Sequence, residues 1–371
     1  MRTISFFLAF VALLVVCAAP LIAGDAATTR LPVARTLGMG GAYLAIANDH
    51  NALYSNPAGL SRVRGMSISI PSISFHTNQD LIDISQDVTD FIDEHESEFA
   101  DFDSVTDDFL RGLDPFDDRW MSFAVDPLVD LVFPHFGLGA YSTIDARFKI
   151  DRGIYQPRIS VQVKNDMVGV VGISKSLGLL GKKMDIGVSA KYIQRRLLSE
   201  SLSGTDASTF DEESIQDMLD TLETAKTGLT FDIGALYPLN GATTLALVLK
   251  DVAGKVDDET IPMTVNVGIA SRPAILKIIP LFRNTVIAAD VDDIFGEGSM
   301  LNRVHLGAET KFALLPFITL RGGFNQGYPT YGLGLNLLIV RLDFAYYGEE
   351  LGSKPGQIPQ WNYFGTIKIG F

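Results

Sequence analysis

Apolar and polar side chains alternate with period two through most of this chain beyond residue 130, most clearly in its last eleven residues, Trp361 to Phe371. Successive side chains of a strand point to opposite faces. One parity carries Trp361, Tyr363, Gly365, Ile367, Ile369 and Phe371; the other carries Asn362, Phe364, Thr366, Lys368 and Gly370. A half-buried strand of a soluble sheet satisfies this pattern, and so does a membrane-barrel strand with lipid on one side and a polar lumen on the other.

The alternation repeats. Phe136 to Ile150 sets Leu138, Ala140, Ile144 and Phe148 against Asp145, Arg147 and Lys149. Ile154 to Lys164, Asp185 to Ile193, Leu229 to Tyr237, Val304 to Phe312 and Val340 to Tyr346 behave likewise. Period two is the strand signature. The chain reads as about fourteen strands, near 65–75, 135–150, 153–164, 166–175, 184–198, 227–237, 242–253, 261–271, 284–293, 302–313, 316–325, 328–338, 339–348 and 361–371. The number is even, as single-chain bacterial barrels require.

Connection lengths supply a second argument. With both termini periplasmic, the odd-to-even connections face outward, and they include the long segments 76–134, 199–226, 254–260, 294–301 and 349–360. The inner turns include Asp151-Arg152, Pro238 to Gly241 and Leu314-Leu315. A tight outer hairpin at Asn165-Asp166 and long inner connections at 176–183 and 272–283 depart from the parity. Long loops outside and short turns inside are a barrel pattern. The expected fold is an all-β transmembrane antiparallel barrel of about fourteen strands, spanning 65–371. Its lumen-facing parity is polar and includes Arg321, Arg341, Asp343 and Lys368.

The N-terminus supports an exported protein. Met1-Arg2 precedes an apolar run from Ile4 to Ala19, with small residues around Ala23 and Ala26. Residues 1–23 read as a secretory signal peptide, cleaved after Ala23 or Ala26. The only cysteine, Cys17, lies in that segment, so the mature chain has neither a disulfide framework nor thiol chemistry. The bacterial outer membrane is the expected location.

Net charge is −14, and its placement matters more than its size. Residues 79–118 hold fifteen acidic residues against Arg111 alone, while the remaining sequence balances at 29 of each sign. Nucleic acid is excluded as a partner, because a phosphate backbone demands clustered cations. In this acidic insert, Leu81, Ile84, Val88, Phe91 and Ile92 recur at helical spacing, and Phe99, Phe102, Val105, Phe109 and Leu113 continue the stripe. An amphipathic helix must bury its apolar side. Phe91, Phe99, Phe102 and Phe109 form either a surface for a hydrophobic ligand or partner, or a cap packed over the barrel mouth. A second insert, 199–225, places Ile215, Met218, Leu219 and Leu222 at the same spacing. Asp101, Asp103 and Asp107 lack the glycine and spacing of a calcium loop. The expectation is no metal and no cofactor.

Thr36 to Gly65 reads TLGMGGAYLAIANDHNALYSNPAGLSRVRG. Gly38, Gly40 and Gly41 permit tight backbone, Ala42 to Ala47 is a short apolar strand-like piece, and Asn56-Pro57 starts a turn. The segment fits a compact element in a lumen or a glycine-rich lead-in to the first strand. It resembles the N-terminal segment of the FadL-type family: long-chain fatty acid transporters, secretion-linked PorV-like proteins and TraF-like barrels found near conjugation genes. The matching residues are Gly38, Gly40, Gly41, Asn48-Asp49, Tyr54 and Asn56-Pro57-Ala58-Gly59. The resemblance implies that residues 24–64 form a hatch, with Gly38, Gly40, Gly41, Asn56, Pro57 and Ala58 in the plug. It implies transport of hydrophobic small molecules, fatty-acid-like or aromatic; the alternative is a docking subunit of a secretion or conjugation system. Expected partners are outer-membrane lipid, a hydrophobic ligand, and the barrel-assembly machinery through the C-terminal strand.

Catalysis finds little support. Five histidines are scattered, and neither H-E-x-x-H nor G-x-S-x-G occurs. His305 and Glu309 share a strand face; the pair reads as a lumen ion pair, with a general-base pair as the alternative. The expectation is that the protein is not an enzyme.

Overall fold

In the computed structural model, residues 31–84, 111, 114–152, 158–179, 181–203, 225–274, 276 and 281–370 are described. Their strands are β1 (Ser67–Asn78), β2 (Arg119–Phe133), β3 (Phe136–Asp151), β4 (Arg158–Leu179), β5 (Lys182–Ser203), β6 (Lys226–Pro238), β7 (Thr243–Val256), β8 (Glu259–Thr260), β9 (Thr264–Ser271), β10 (Phe282–Val291), β11 (Val304–Phe312), β12 (Ile318–Asn325), β13 (Tyr328–Leu337), β14 (Val340–Glu350) and β15 (Pro359–Gly370). Each neighbour pair is antiparallel. The terminal strand β15 pairs with β1, and β6 pairs with β7, so the sheet closes on itself. The two-residue β8 only prolongs the turn after β7. Fourteen staves therefore form the wall, with no free edge.

The alternation read in the sequence maps onto the wall. Along β15, Asn362 and Phe364 are fully buried, while Ile367 and Ile369 are exposed. The outward face carries exposed Leu138, Val171, Ile173, Val188, Leu247 and Leu333. An apolar outer band is what a barrel presents to lipid. On the outer half of the last staves, Tyr346 stacks on Trp361 at 5.3 Å and contacts Tyr363 at 4.9 Å. Such aromatic clusters mark the membrane–water interface. Among the described residues, no helix is long and apolar enough to cross a membrane.

The expected total of fourteen strands was reached through two errors that cancel. Arg119–Phe133 is a full stave that the acidic insert concealed, and 158–179 is one 22-residue strand rather than two. Asn165-Asp166 is no hairpin; both residues sit mid-strand, paired with Ile144 and Thr143 on one side and with Arg196 and Arg195 on the other. Ladder bonds on both edges outweigh a local turn preference. Asp151 consequently ends β3 and Arg152 enters an outer connection, not an inner turn, and the long inner connection expected at 176–183 shortens to the two positions 180–181. The corrected connections obey the parity more closely: 134–135, 180–181, 239–242, 313–317 and 338–339 are short and lie on one side. The inner connection 272–281 remains long, and the outer one at 326–327 is tight.

Insert boundaries shift as well. Residues 199–203 belong to β5, so the second connection starts at 204. Residues 79–84 are helical and Ile84 is buried. Phe91, Phe99, Phe102, Phe109, the 215–222 stripe, the signal segment and Phe371 lie outside the described residues.

Candidate functional site

Residues 31–63 contain two one-turn helices, α1 (Ala34–Leu37) and α2 (Ala52–Ser55), and a 3-10 helix, Pro57–Arg62. Ala42 to Ala47 forms turns rather than the expected strand-like piece, because its backbone bonds stay within the segment or go to wall side chains. Asp290 on β10 accepts the backbone N–H groups of Tyr43 and Leu44 at 2.5 and 2.8 Å. The Asn56 side chain donates to Leu44 O at 2.9 Å and accepts from Ala58 N at 3.1 Å, which fixes the entry to the 3-10 helix.

Glycines let this segment meet the wall backbone to backbone. Gly40 and Gly41 have φ of 64° and 90°, and a Cβ on Gly40 would lie 2.4 Å from Leu306 O and 2.5 Å from Phe324 O. Gly40 O also accepts from His305 Nδ1 at 2.9 Å. Gly38 faces Gly332 of β13, and Thr330 donates to Gly38 O at 3.3 Å. On the far side, Pro57 and Ala58 abut Gly187 of β5, and Asn56 abuts Gly234 of β6. Arg62 bonds Asp185 of β5 at 2.8 Å. The six expected residues Gly38, Gly40, Gly41, Asn56, Pro57 and Ala58 thus touch the inner side of β5, β6 and β11–β13.

The inward surface is not the uniformly polar lumen expected from parity. Tyr43, Leu44, Ile46, Leu53 and Leu60 are buried in one cluster with Val168, Val170, Ile193, Leu236, Val248 and Ala288 of the wall. That contact removes apolar surface of both sides from water, while the same strands also bury the charged residues Asp166, Lys191, Arg195, Asp232 and Asp251.

The β11–β15 side is charged. Arg35 forks onto Glu309, with Nε 2.8 Å from Oε2 and Nη2 2.6 Å from Oε1. Its Nη1 reaches Asp49 at 2.6 Å, and Asp49 accepts from the Tyr43 hydroxyl at 2.6 Å. Glu309 also pairs with Arg321 at 2.9 Å, Arg321 with Asp343 at 2.7 Å, and Asp343 with Arg341 at 2.5 Å. Arg35 and Asp49 were not among the expected site residues, although Asp49 lay in the segment that carried the resemblance. His305 and Glu309 do not pair with each other; Asp292 lies 3.7 Å from His305.

Beside this network is a small, partly open cavity. Its wall is two cross-strand rows on β14, β15, β1 and β2. Asp343, Thr366, Ser74 and Asp126 form one row, and Arg341, Lys368, Ser72 and Leu128 form the next. Leu31 to Arg35, His50 and Asn51 close the other side. Lys368 donates to Ser67 at 3.4 Å, and Ser74 and Thr366 bond each other at 2.9 Å.

No protein-family profile matches the chain, and no curated protein matches its sequence. Among solved structures, a monoaromatic hydrocarbon channel, the TodX deltaS2 mutant, aligns with a TM-score of 0.50 and 12% identity, covering 92% of this chain and 99% of that one. The Pseudomonas putida toluene transporter TodX aligns with a TM-score of 0.48 and 12% identity, covering 94% and 99%. The chain has the barrel fold of the TodX deltaS2 mutant.

Proposed function

We infer that this protein sits in the bacterial outer membrane and passes hydrophobic small molecules through its barrel. The observation that carries the reading is the closed fourteen-stave wall, shared over nearly its whole length with a monoaromatic hydrocarbon channel. An apolar outer band and an interfacial aromatic cluster support the membrane setting. The strand β15, which closes the barrel against β1, is the segment that the barrel-assembly machinery would engage.

Residues 31–63 act as a plug in this reading. Their contacts divide between a mainly apolar side toward β3–β10, which also holds the Arg62–Asp185 pair and the Asp290 bonds to Tyr43 and Leu44, and a charged side toward β11–β14. Opening requires one face to release, and the charged face is the one that water can resolvate. A hydrophobic substrate suits the acidic outer inserts, which would repel carboxylate anions.

The test is uptake of radiolabelled toluene and of a labelled fatty acid by cells with and without the protein. Faster uptake in its presence supports transport. No difference across a broad panel of hydrophobic compounds, together with co-purification of secretion or conjugation components, would shift the assignment to a docking subunit.

A further inference from the structure

The inner end of the wall is uneven in chemistry. Its turns near β4–β7 are polar apart from Leu239: Gly181 runs into exposed Lys182 and Lys183, and Asn240-Gly241 tips the next. The two turns on the opposite side are apolar. Residues 313–317 read Ala-Leu-Leu-Pro-Phe, and residues 338–339 read Leu-Ile. Leu314 is 75% exposed and Leu338 94%, with Leu315, Phe317 and Ile339 exposed beside them. Phe317 O accepts from Asn336 N at 2.9 Å, which sets the two turns side by side. Leu338 also has φ of 60°. In water, a two-residue hairpin takes asparagine or glycine in that conformation rather than an exposed leucine.

The staves that carry these turns are short. β12 has 8 residues and β13 has 10, against 22 in each of β4 and β5. At about 3.4 Å per residue and a tilt of about 40°, β12 covers roughly 21 Å along the membrane normal, less than the ~25 Å apolar band of such barrels. Its outward residues Ile318 and Leu320 pair with Leu335 and Leu333 of β13, so the lipid-facing band runs unbroken into both turns. Turn carbonyls are bonded within the protein: Leu315 O accepts from Ile318 N at 2.8 Å, and Ile339 O from Gly370 N at 3.0 Å. Carbonyls satisfied internally tolerate an apolar surrounding.

We propose that these two turns seat in the inner leaflet of the outer membrane, at the boundary of headgroups and acyl chains, and that the leaflet thins along β12–β14 to meet them. A wall shorter than the local hydrocarbon thickness is accommodated by thinning the bilayer. The occupant is lipid because the turns continue the lipid-facing surface. The inference rests on the membrane setting and not on transport.

The experiment places a nitroxide through L338C, L314C, L333C or N240C in a C17S background, with the barrel in phosphatidylethanolamine–phosphatidylglycerol vesicles. Electron paramagnetic resonance compares collisions with oxygen, which partitions into acyl chains, and with a nickel chelate, which stays in water. Labels at 338 and 314 should favour oxygen, as the wall label at 333 does, and the label at 240 should show the reverse preference. Nickel access at 338 and 314 equal to that at 240 overturns the seating. Exclusion of both reagents means a second copy or another protein covers the turns, and overturns the lipid occupant. Nickel access at 333 as well removes the membrane setting with it. Leu338→Asp gives an independent readout. Aspartate tolerates the positive φ, so in water the urea midpoint holds or rises, whereas a charge against the acyl boundary should lower it. An unchanged or raised midpoint overturns the proposal.

Discussion

Arg35 and Glu309 are 274 residues apart in the chain and meet in a two-point fork, Nε to Oε2 at 2.8 Å and Nη2 to Oε1 at 2.6 Å. Planar two-point pairing of this kind fixes geometry as well as charge. It ties α1 to β11, and through Arg321 and Asp343 the tie extends to β14. Both partners are largely buried; removing Arg35 leaves Asp49 without the cation it pairs with, while Glu309 keeps Arg321. Loss of a buried partner costs about 3–5 kcal/mol.

Arg35→Ala should therefore loosen residues 31–63 more than Arg62→Ala does, because Arg62 is more exposed. Planar-bilayer recordings should show larger or more frequent conductance steps for Arg35→Ala than for wild type. Deleting residues 38–59 should raise conductance further. Unchanged conductance after the deletion would remove that segment from the pore.

Gly40 is the place where a methyl group should do most harm. A side chain at φ of 64° costs about 1–2 kcal/mol by itself. The added Cβ would also press on Leu306 O and on Phe324 O and N, all backbone atoms that cannot rotate away. Gly65 has φ of 82° with nothing within 4 Å of its Cβ position. Gly40→Ala should lower the urea midpoint of the refolded barrel well below that of Gly65→Ala. Equal midpoints would contradict the close backbone approach.

Lys191 is buried between Asp232 and Asp251, at 2.8 and 2.7 Å. Removing the lysine leaves two buried carboxylates facing each other, whereas removing one carboxylate leaves a matched pair. Lys191→Met should destabilise by more than Asp232→Asn, in the range of about 3–5 kcal/mol. Urea titration of both variants orders them, and the reverse order would refute the argument.

Glu350, at the outer end of β14, gathers the following loop. Its carboxylate accepts from the Tyr328 hydroxyl at 2.7 Å and from the backbone N–H groups of Gly352, Gly356, Gln357 and Ile358. Burial opposes ionisation, but the bonds from Tyr328, Ile358, Gly352 and Gly356 outweigh it and hold the carboxyl at about 2, against an ordinary 4.5. A depressed carboxyl stabilises the folded form above its unfolded value and loses that contribution as pH falls through the folded one. Amide exchange at Gly352, Gly356 and Ile358 should stay protected at pH 6 and lose its excess protection between about pH 4.5 and 2, after correction for intrinsic rates. Glu350→Gln should be less protected at pH 6 and flat across that window. A pH-dependent loss that persists in the variant would assign the effect elsewhere.

Strand identity was legible because period two is a local property. The outward run Ile367, Ile369 and the inward run Thr366, Lys368 lie on one strand, and no distant contact is needed to read them. The stave Arg119–Phe133 carries the same signal, with Phe123, Val125, Val129 and Leu131 against Asp126 and Asp130. Its inward acids made it look like part of the acidic insert. Asn165-Asp166 misled in the opposite direction, since a dipeptide's turn preference is weak beside two continuous ladders.

What the sequence by itself determined is the alternation, and with it the all-β wall and the apolar outward side of its strands; the number of staves came out right only because a missed strand and a divided one cancelled. Closure decided the rest. Only when β15 meets β1 do the rows Asp343–Thr366–Ser74–Asp126 and Arg341–Lys368–Ser72–Leu128 exist, since each joins residues more than two hundred positions apart. The apolar patch of Val168, Val170, Ile193, Leu236, Val248 and Ala288 likewise shows its role only in what Tyr43, Ile46, Leu53 and Leu60 pack against. Periodicity says which side of a strand a residue takes; it carries no information about what stands across the barrel, because that contact is set by the closed shape of the whole wall.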